Sequence, residues 1–170
     1  MAAAPSTSTA WAWLARFDPA ILLRDDEGAL WITDRHRLHR VLEPVETALL
    51  EGIVIANDPL EVRWHTAPDP PLVVPGPNWR VASALATLPG ASLLRLRSIH
   101  VADNEICFLT GDLVSVRVNA DYHRQGLNDG VSSWRGRGPS TAVYGSDAEG
   151  VLQVVLMPIC RRLPAYLTWD

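Results

Sequence analysis

The chain has 170 residues, 48% of them hydrophobic and 20% charged, with a formal net charge of −4 and a pI near 5.7. That balance allows a sizeable core in one domain or one and a half and excludes global disorder. The acidic pI argues against a chain that coats nucleic acid non-specifically, while leaving room for a local basic surface.

All 15 basic residues are arginine. This reads either as a GC-rich coding bias or as a preference for bidentate anion recognition. Cys107 and Cys160 lie far apart with no metal-ligand spacing, and two buried reduced thiols are favoured over a single disulfide. The N-terminal stretch has no basic start before its apolar part, and no apolar run approaches the ~20 residues that span a bilayer. The expectation is a cytoplasmic protein.

In chain order, residues 1–8 are small and polar and read as a disordered N-terminus. Thr9 to Phe17 forms a short helix that Pro19 stops, with Trp11 and Trp13 as core or interface anchors. Ala20 to Arg24 and Ala29 to Asp34 read as two strands of a hairpin. Its turn is Asp25-Asp26-Glu27-Gly28, where Gly28 can take positive φ. Asp25 and Asp26 are accordingly turn chemistry rather than an acid–base pair. Arg37 to Leu42 continues the strand after a bend. The stretch 44–57 fits both a helical stripe and a strand. Leu60 to His65 alternates as a half-buried strand, 67–71 is a proline-rich turn, and Leu72-Val73-Val74 is a short strand.

Pro77 to Leu88 gives the clearest helix, with Val81, Ala84, Leu85 and Leu88 as its apolar stripe and Arg80 as its only charge. Strands follow at Ser92 to His100, Glu105 to Thr110 and Leu113 to Asn119, broken by Ala102-Asp103-Asn104 and Gly111-Asp112. Leu94, Leu96 and Ile99 set against Arg95, Arg97 and His100 predict a sheet with one wet face. Leu127 to Ser140 reads as a long loop and Gly145 to Gly150 as a turn. Val151 to Ile159 is a core strand, with Pro158 marking an edge or a strand end. The class is α+β, mostly antiparallel, with two or three helices. The domain is expected over 9–160, with 161–170 as a C-terminal tail.

The densest cationic cluster is Arg35, His36, Arg37, His39 and Arg40. Such charges face water, acidic neighbours or an anionic partner. The segment reads as a solvated strand end, or as a peptide-docking rim on which Leu38 supplies apolar surface. A metal site on His36 and His39 is the weaker reading, because residues three apart share a face only on a helix. Val155 to Ile159 reads as core strand or as the floor of an apolar pocket, where Met157 adapts to varied ligands. Trp134-Arg135-Gly136-Arg137-Gly138 reads as an exposed loop or as a stacking contact for nucleic acid. There is no G-x-S-x-G elbow, H-E-x-x-H, phosphate loop or Rossmann glycine pattern.

Thr33-Asp34-Arg35-His36-Arg37-Leu38 resembles the T-D-x-H-R-L segment of the bacterial DNA polymerase III β subunit, the sliding clamp. Ala120-Asp121-Tyr122-His123-Arg124 resembles the D-Y-R segment that closes the clamp's middle domain. Gln153-Val154-Val155-Leu156-Met157-Pro158-Ile159 resembles its C-terminal V-V-M-P-M strand, and the intervening elements follow the order of a clamp domain. The family forms a ring from several such domains, and this chain has the length of about one.

The resemblance implies a non-enzymatic, clamp-like module without a cofactor. It would dock short hydrophobic motifs of DNA polymerase or repair proteins at Thr33, His36, Arg37, Leu38, Val155, Met157, Pro158 and Ile159. Self-association through sheet edges is a further expectation. The alternatives are a DNA-associated regulatory module using Arg80, Arg135 and Arg137, and a small metal-dependent enzyme using His36 and His39.

Overall fold

The computed structural model describes residues 12–42, 45–46, 58–63, 72–78 and 80–160. Expectations for 1–11, the turn at 67–71, most of 44–57 and the tail 161–170 lie outside the described residues. The fold is α+β and mostly antiparallel. It divides into two compact units: the chain up to Ala86 with Leu152–Val155, and Thr87–Val151 with the chain from Leu156 onward. No helix among the described residues is long and apolar enough to cross a membrane.

In the first unit, strands β1 (Ala20–Arg24), β2 (Leu30–Thr33), β3 (Arg37–Arg40), β4 (Leu60–Arg63) and β5 (Leu72–Pro75) form an antiparallel sheet. The order is β5-β4-β1-β2-β3, with Leu152–Val155 of the last strand beside β3. The hairpin β1–β2 is built as its sequence predicts. The Asp25 carboxylate accepts from Glu27 N at 3.0 Å, from Ala29 N at 2.8 Å and from Trp31 Nε1 at 2.8 Å. Gly28 takes φ +87°, a conformation that costs glycine little.

Period-two alternation sends Leu22, Leu30 and Ile32 to one face. There they pack with Leu14, Phe17, Ala20, Val41 and Val62 in a dry cluster. The opposite face, with Ile21, Leu23 and Trp31, is also buried. Residues 12–14 are helical, and Phe17 N closes on Leu14 O at 3.0 Å. Helix α1 spans Val81–Leu85 only, shorter than Pro77 to Leu88. Arg80 precedes it in extended backbone without a side-chain cap, so nothing propagates helix toward Pro77.

In the second unit, β6 (Ser92–Leu93), β10 (Ser133–Gly136) and β11 (Val143–Ser146) pair in the order β11-β10-β6. Strands β7 (Arg95–His100), β8 (Glu105–Leu109) and β9 (Ser115–Asn119) form a separate meander. A 3-10 turn at Val101–Asp103 joins β7 to β8. Helix α2 runs over Ala120–Asn128, capped by Asn119, whose side chain accepts from Asp121 N and Tyr122 N. Strand β12 is Leu152–Leu156, and Pro158 lies beyond its end, consistent with its inability to donate to a ladder.

Four expectations are corrected. Leu127 to Ser140 is not a long loop, because it holds the end of α2 and the whole of β10. Strand β11 runs through Gly145 to Ser146, so the turn is only Asp147 to Gly150, closed by Gly150 N on Asp147 O at 3.1 Å. Cys107 is buried but Cys160 is exposed, and both are free thiols. Leu96 and Ile99 stay 56% and 59% exposed rather than forming the dry side of β7.

Candidate functional site

Residues 33–38 form a tight polar turn between β2 and β3, and four of them, Thr33, Asp34, Arg37 and Leu38, are buried where a strand end would be wet. Thr33 Oγ1 donates to Arg37 O at 2.7 Å and accepts from Arg35 N at 3.0 Å. One Asp34 oxygen accepts from the backbone N–H of His36 and of Arg37, each at 3.0 Å. The other meets Arg37 Nε at 3.1 Å. The Arg37 guanidinium also donates to Arg16 O at 2.6 Å and lies 4.2 Å from the centre of the Phe17 ring. Thr33, Asp34 and Arg37 are 2–4% exposed. The Thr-Asp-x-x-Arg pattern is thus a self-satisfied network, in which every buried charge has a partner of opposite sign or a carbonyl.

Two residues of the turn reach solvent, Arg35 and His36. Arg35 takes φ +76°, which an L-residue adopts at a cost of roughly 1–2 kcal/mol. Leu38 is 2% exposed and pairs with Thr33 across the strands. His39 is 1% exposed. Its ring stands edge-on to Trp13 at 5.4 Å and to Phe17 at 6.1 Å, with Nδ1 at 2.7 Å from Arg40 O. His36 is therefore on the surface and His39 in the core. Among the described residues no group of three or more His, Cys, Asp or Glu side chains could hold a metal ion.

The strand that carries Leu38 and the strand that carries Val155 are neighbours in the first unit's sheet. Val155 is buried, and after β12 the chain exposes Met157 at 54% and half-buries Pro158 and Ile159. In the second unit Ile159 N donates to Arg117 O at 2.8 Å, so the chain past β12 runs along β9. Arg80, Arg135 and Arg137 are all exposed. Trp134 is 6% exposed, so it faces inward from β10 and is not a free stacking platform.

Two features escaped the sequence reading. One is a groove of about 610 Å³ in the first unit, lined by Glu27, Leu30, Arg40, Leu42, Glu46 and Gln153. Its lining mixes these charged groups with apolar surface that includes Ala29 and Val41, more polar than a typical small-molecule pocket, and none of the expected docking residues lines it. The other is an aromatic stack in the second unit. His123 of α2 lies 5.5 Å from Phe108 and 5.0 Å from Trp134. Burial there disfavours the imidazolium and lowers the His123 pKa below its ordinary value. The stack is seen only once α2, β8 and β10 are brought together, since its members lie far apart in sequence.

Comparison of this chain with known protein families, characterised proteins and solved structures finds no match.

Proposed function

We propose that the chain is a non-enzymatic, clamp-like binding module that docks short hydrophobic peptide motifs of DNA replication and repair proteins. The observation that carries this reading is the adjacency of β3 and β12 in one sheet. Parts of the two segments that resemble the walls of the clamp's peptide pocket, Arg37 and Leu38 in one and Val154 and Val155 in the other, thereby belong to neighbouring strands of the first unit. Thr33, Asp34 and Arg37 act from beneath, holding the turn that presents His36 to solvent. Leu38 and Val155 fix the two strands, and the resemblance adds Met157, whose flexible thioether would adapt to varied apolar motifs.

The test is a titration of the full chain with a short Leu- and Phe-containing clamp-binding peptide, followed by fluorescence anisotropy. Saturable binding that weakens in His36→Ala and in Met157→Ala supports the reading. Absence of binding at high micromolar concentration overturns it.

A second reading, a DNA-associated module, is favoured by one observation: Arg135 and Arg137 sit exposed at β10 and just beyond it. DNA affinity that falls steeply with salt, and falls further in Arg135→Ala/Arg137→Ala, would establish it. A flat salt dependence would remove it.

A further inference from the structure

We propose that the free edge of β7 takes an extended segment of another protein, alternating acidic and apolar residues, as an added antiparallel strand. This surface lies in the second unit and is separate from the residues of the docking reading above.

Strand β7 ends the meander, with β8 as its only strand neighbour among the described residues. Its outer N–H and C=O groups are a template for another strand. A bulge between Leu96 and Ser98 sets the register, so that Leu96 lies opposite Phe108 and Ile99 opposite Ile106. Without it, residues three apart would point to opposite faces. With it, both join the face that carries Ile106, Phe108, Val116 and Val118, each at most 4% exposed.

That face is covered over β8 and β9, where α2 and its His123 pack. At β7 the cover stops. Leu96 is 56% exposed, Ile99 59%, and Val101 just past the strand 85%. The apolar layer therefore continues one strand beyond its lid, on an edge that still has hydrogen bonds to offer.

Charge selects the occupant. Arg95 pairs across the sheet with Leu109, and Arg97 donates to Ser115 Oγ at 3.2 Å. Both thus lie on the face opposite Leu96 and Ile99. Both are exposed, and among the described residues neither is paired with a carboxylate. A second copy laid antiparallel on this edge would bring the arginines of two β7 strands within about 5 Å per strand spacing, where like charges oppose pairing. An incoming strand with carboxylates on the arginine face and valine or leucine on the other satisfies both faces at once.

The experiment uses the full chain and three labelled peptides. One alternates glutamate with valine, the second has lysine for glutamate, and the third is the glutamate peptide with alternate backbone nitrogens methylated. The glutamate peptide is expected to bind at least about tenfold more tightly than the other two. Ile99→Asp should weaken it about tenfold, and Arg95→Glu/Arg97→Glu should switch preference to the lysine peptide. These side chains are exposed, so the variants should keep the parental melting temperature, and Met157→Ala should bind the glutamate peptide as the parent does. Equal binding of the glutamate and lysine peptides overturns the proposal, as does undiminished binding of the methylated peptide. A concentration-dependent dimer that Ile99→Asp abolishes also overturns it, by showing that the occupant is a second copy.

Discussion

Asp34 spends both carboxylate oxygens on its own turn, taking two backbone N–H groups on one and the Arg37 guanidinium on the other. Asp34→Ala removes all three contacts from a site only 4% exposed. We expect a loss of about 3–5 kcal/mol, because one partner of a buried ion pair is left behind. Chemical denaturation measures it, and a loss under about 1 kcal/mol would show that the network is not what holds the turn. A second residue-scale expectation concerns Leu113, a leucine at φ +63° with 76% of its surface exposed. Leu113→Asn should stabilise the chain by about 0.5–1 kcal/mol, since asparagine tolerates the left-handed region and no packing is lost. A lower midpoint in the same denaturation series would refute that account. These local features were partly legible. The place of Asp25 before Gly28 marks it as turn chemistry, whereas nothing local assigns Asp34 and Arg37 to the interior. Burial of a charged pair depends on what packs over it, here Phe17 and the Arg16 carbonyl.

At the scale of elements, α2 shows why a helix can be missed. Ala120 to Asn128 carries a glycine and few apolar residues, so it has no strong hydrophobic stripe. Its legible signal was the cap: Asn119 followed by Asp121 in the first turn. Gly126 has a tertiary reason to be there. A Cβ at that position would stand 3.0 Å from Cη2 and 3.3 Å from Cζ2 of the Trp134 indole. That ring is held by His123 and Phe108. Alanine would gain about 1 kcal/mol of helix propensity, but the clash should outweigh it, so Gly126→Ala is expected to destabilise by about 1–2 kcal/mol. Stabilisation on thermal melting would mean that the indole can move aside. The hairpin β1–β2 was legible for the converse reason, as its alternation and turn residues lie next to each other in sequence. The sequence of β7 alternates like an ordinary amphipathic strand. Its bulge and missing cover arise from pairing with β8 and from the reach of α2, which no local pattern encodes.

At the scale of the whole molecule, His123 couples the folding equilibrium to pH. Its folded-state pKa is lowered by burial, so the unfolded chain binds the proton more readily. Stability from this group is then full above the unfolded value of about 6.5 and falls as pH drops through 6.5 toward the folded value. Thermal melts from about pH 5 to about pH 7.5, a span around that value, should show a decline that is smaller in His123→Phe. Parallel pH profiles for parent and variant would defeat the assignment.

The sequence by itself determined the α+β class, the hairpin with its aspartate–glycine turn, and the approximate places of most strands. Those follow from period-two burial and from backbone freedom at a few residues, both of which are local. Only the tertiary structure decided that β3 and β12 are neighbours, that Thr33, Asp34, Arg37 and Leu38 are buried while Arg35 stays exposed, and that His36 and His39 part to surface and core. It also decided which stretches of the chain join in each of two compact units. Adjacency of strands so distant along the chain depends on which faces find cover, and cover is a property of the assembled layers, not of any one stretch of residues.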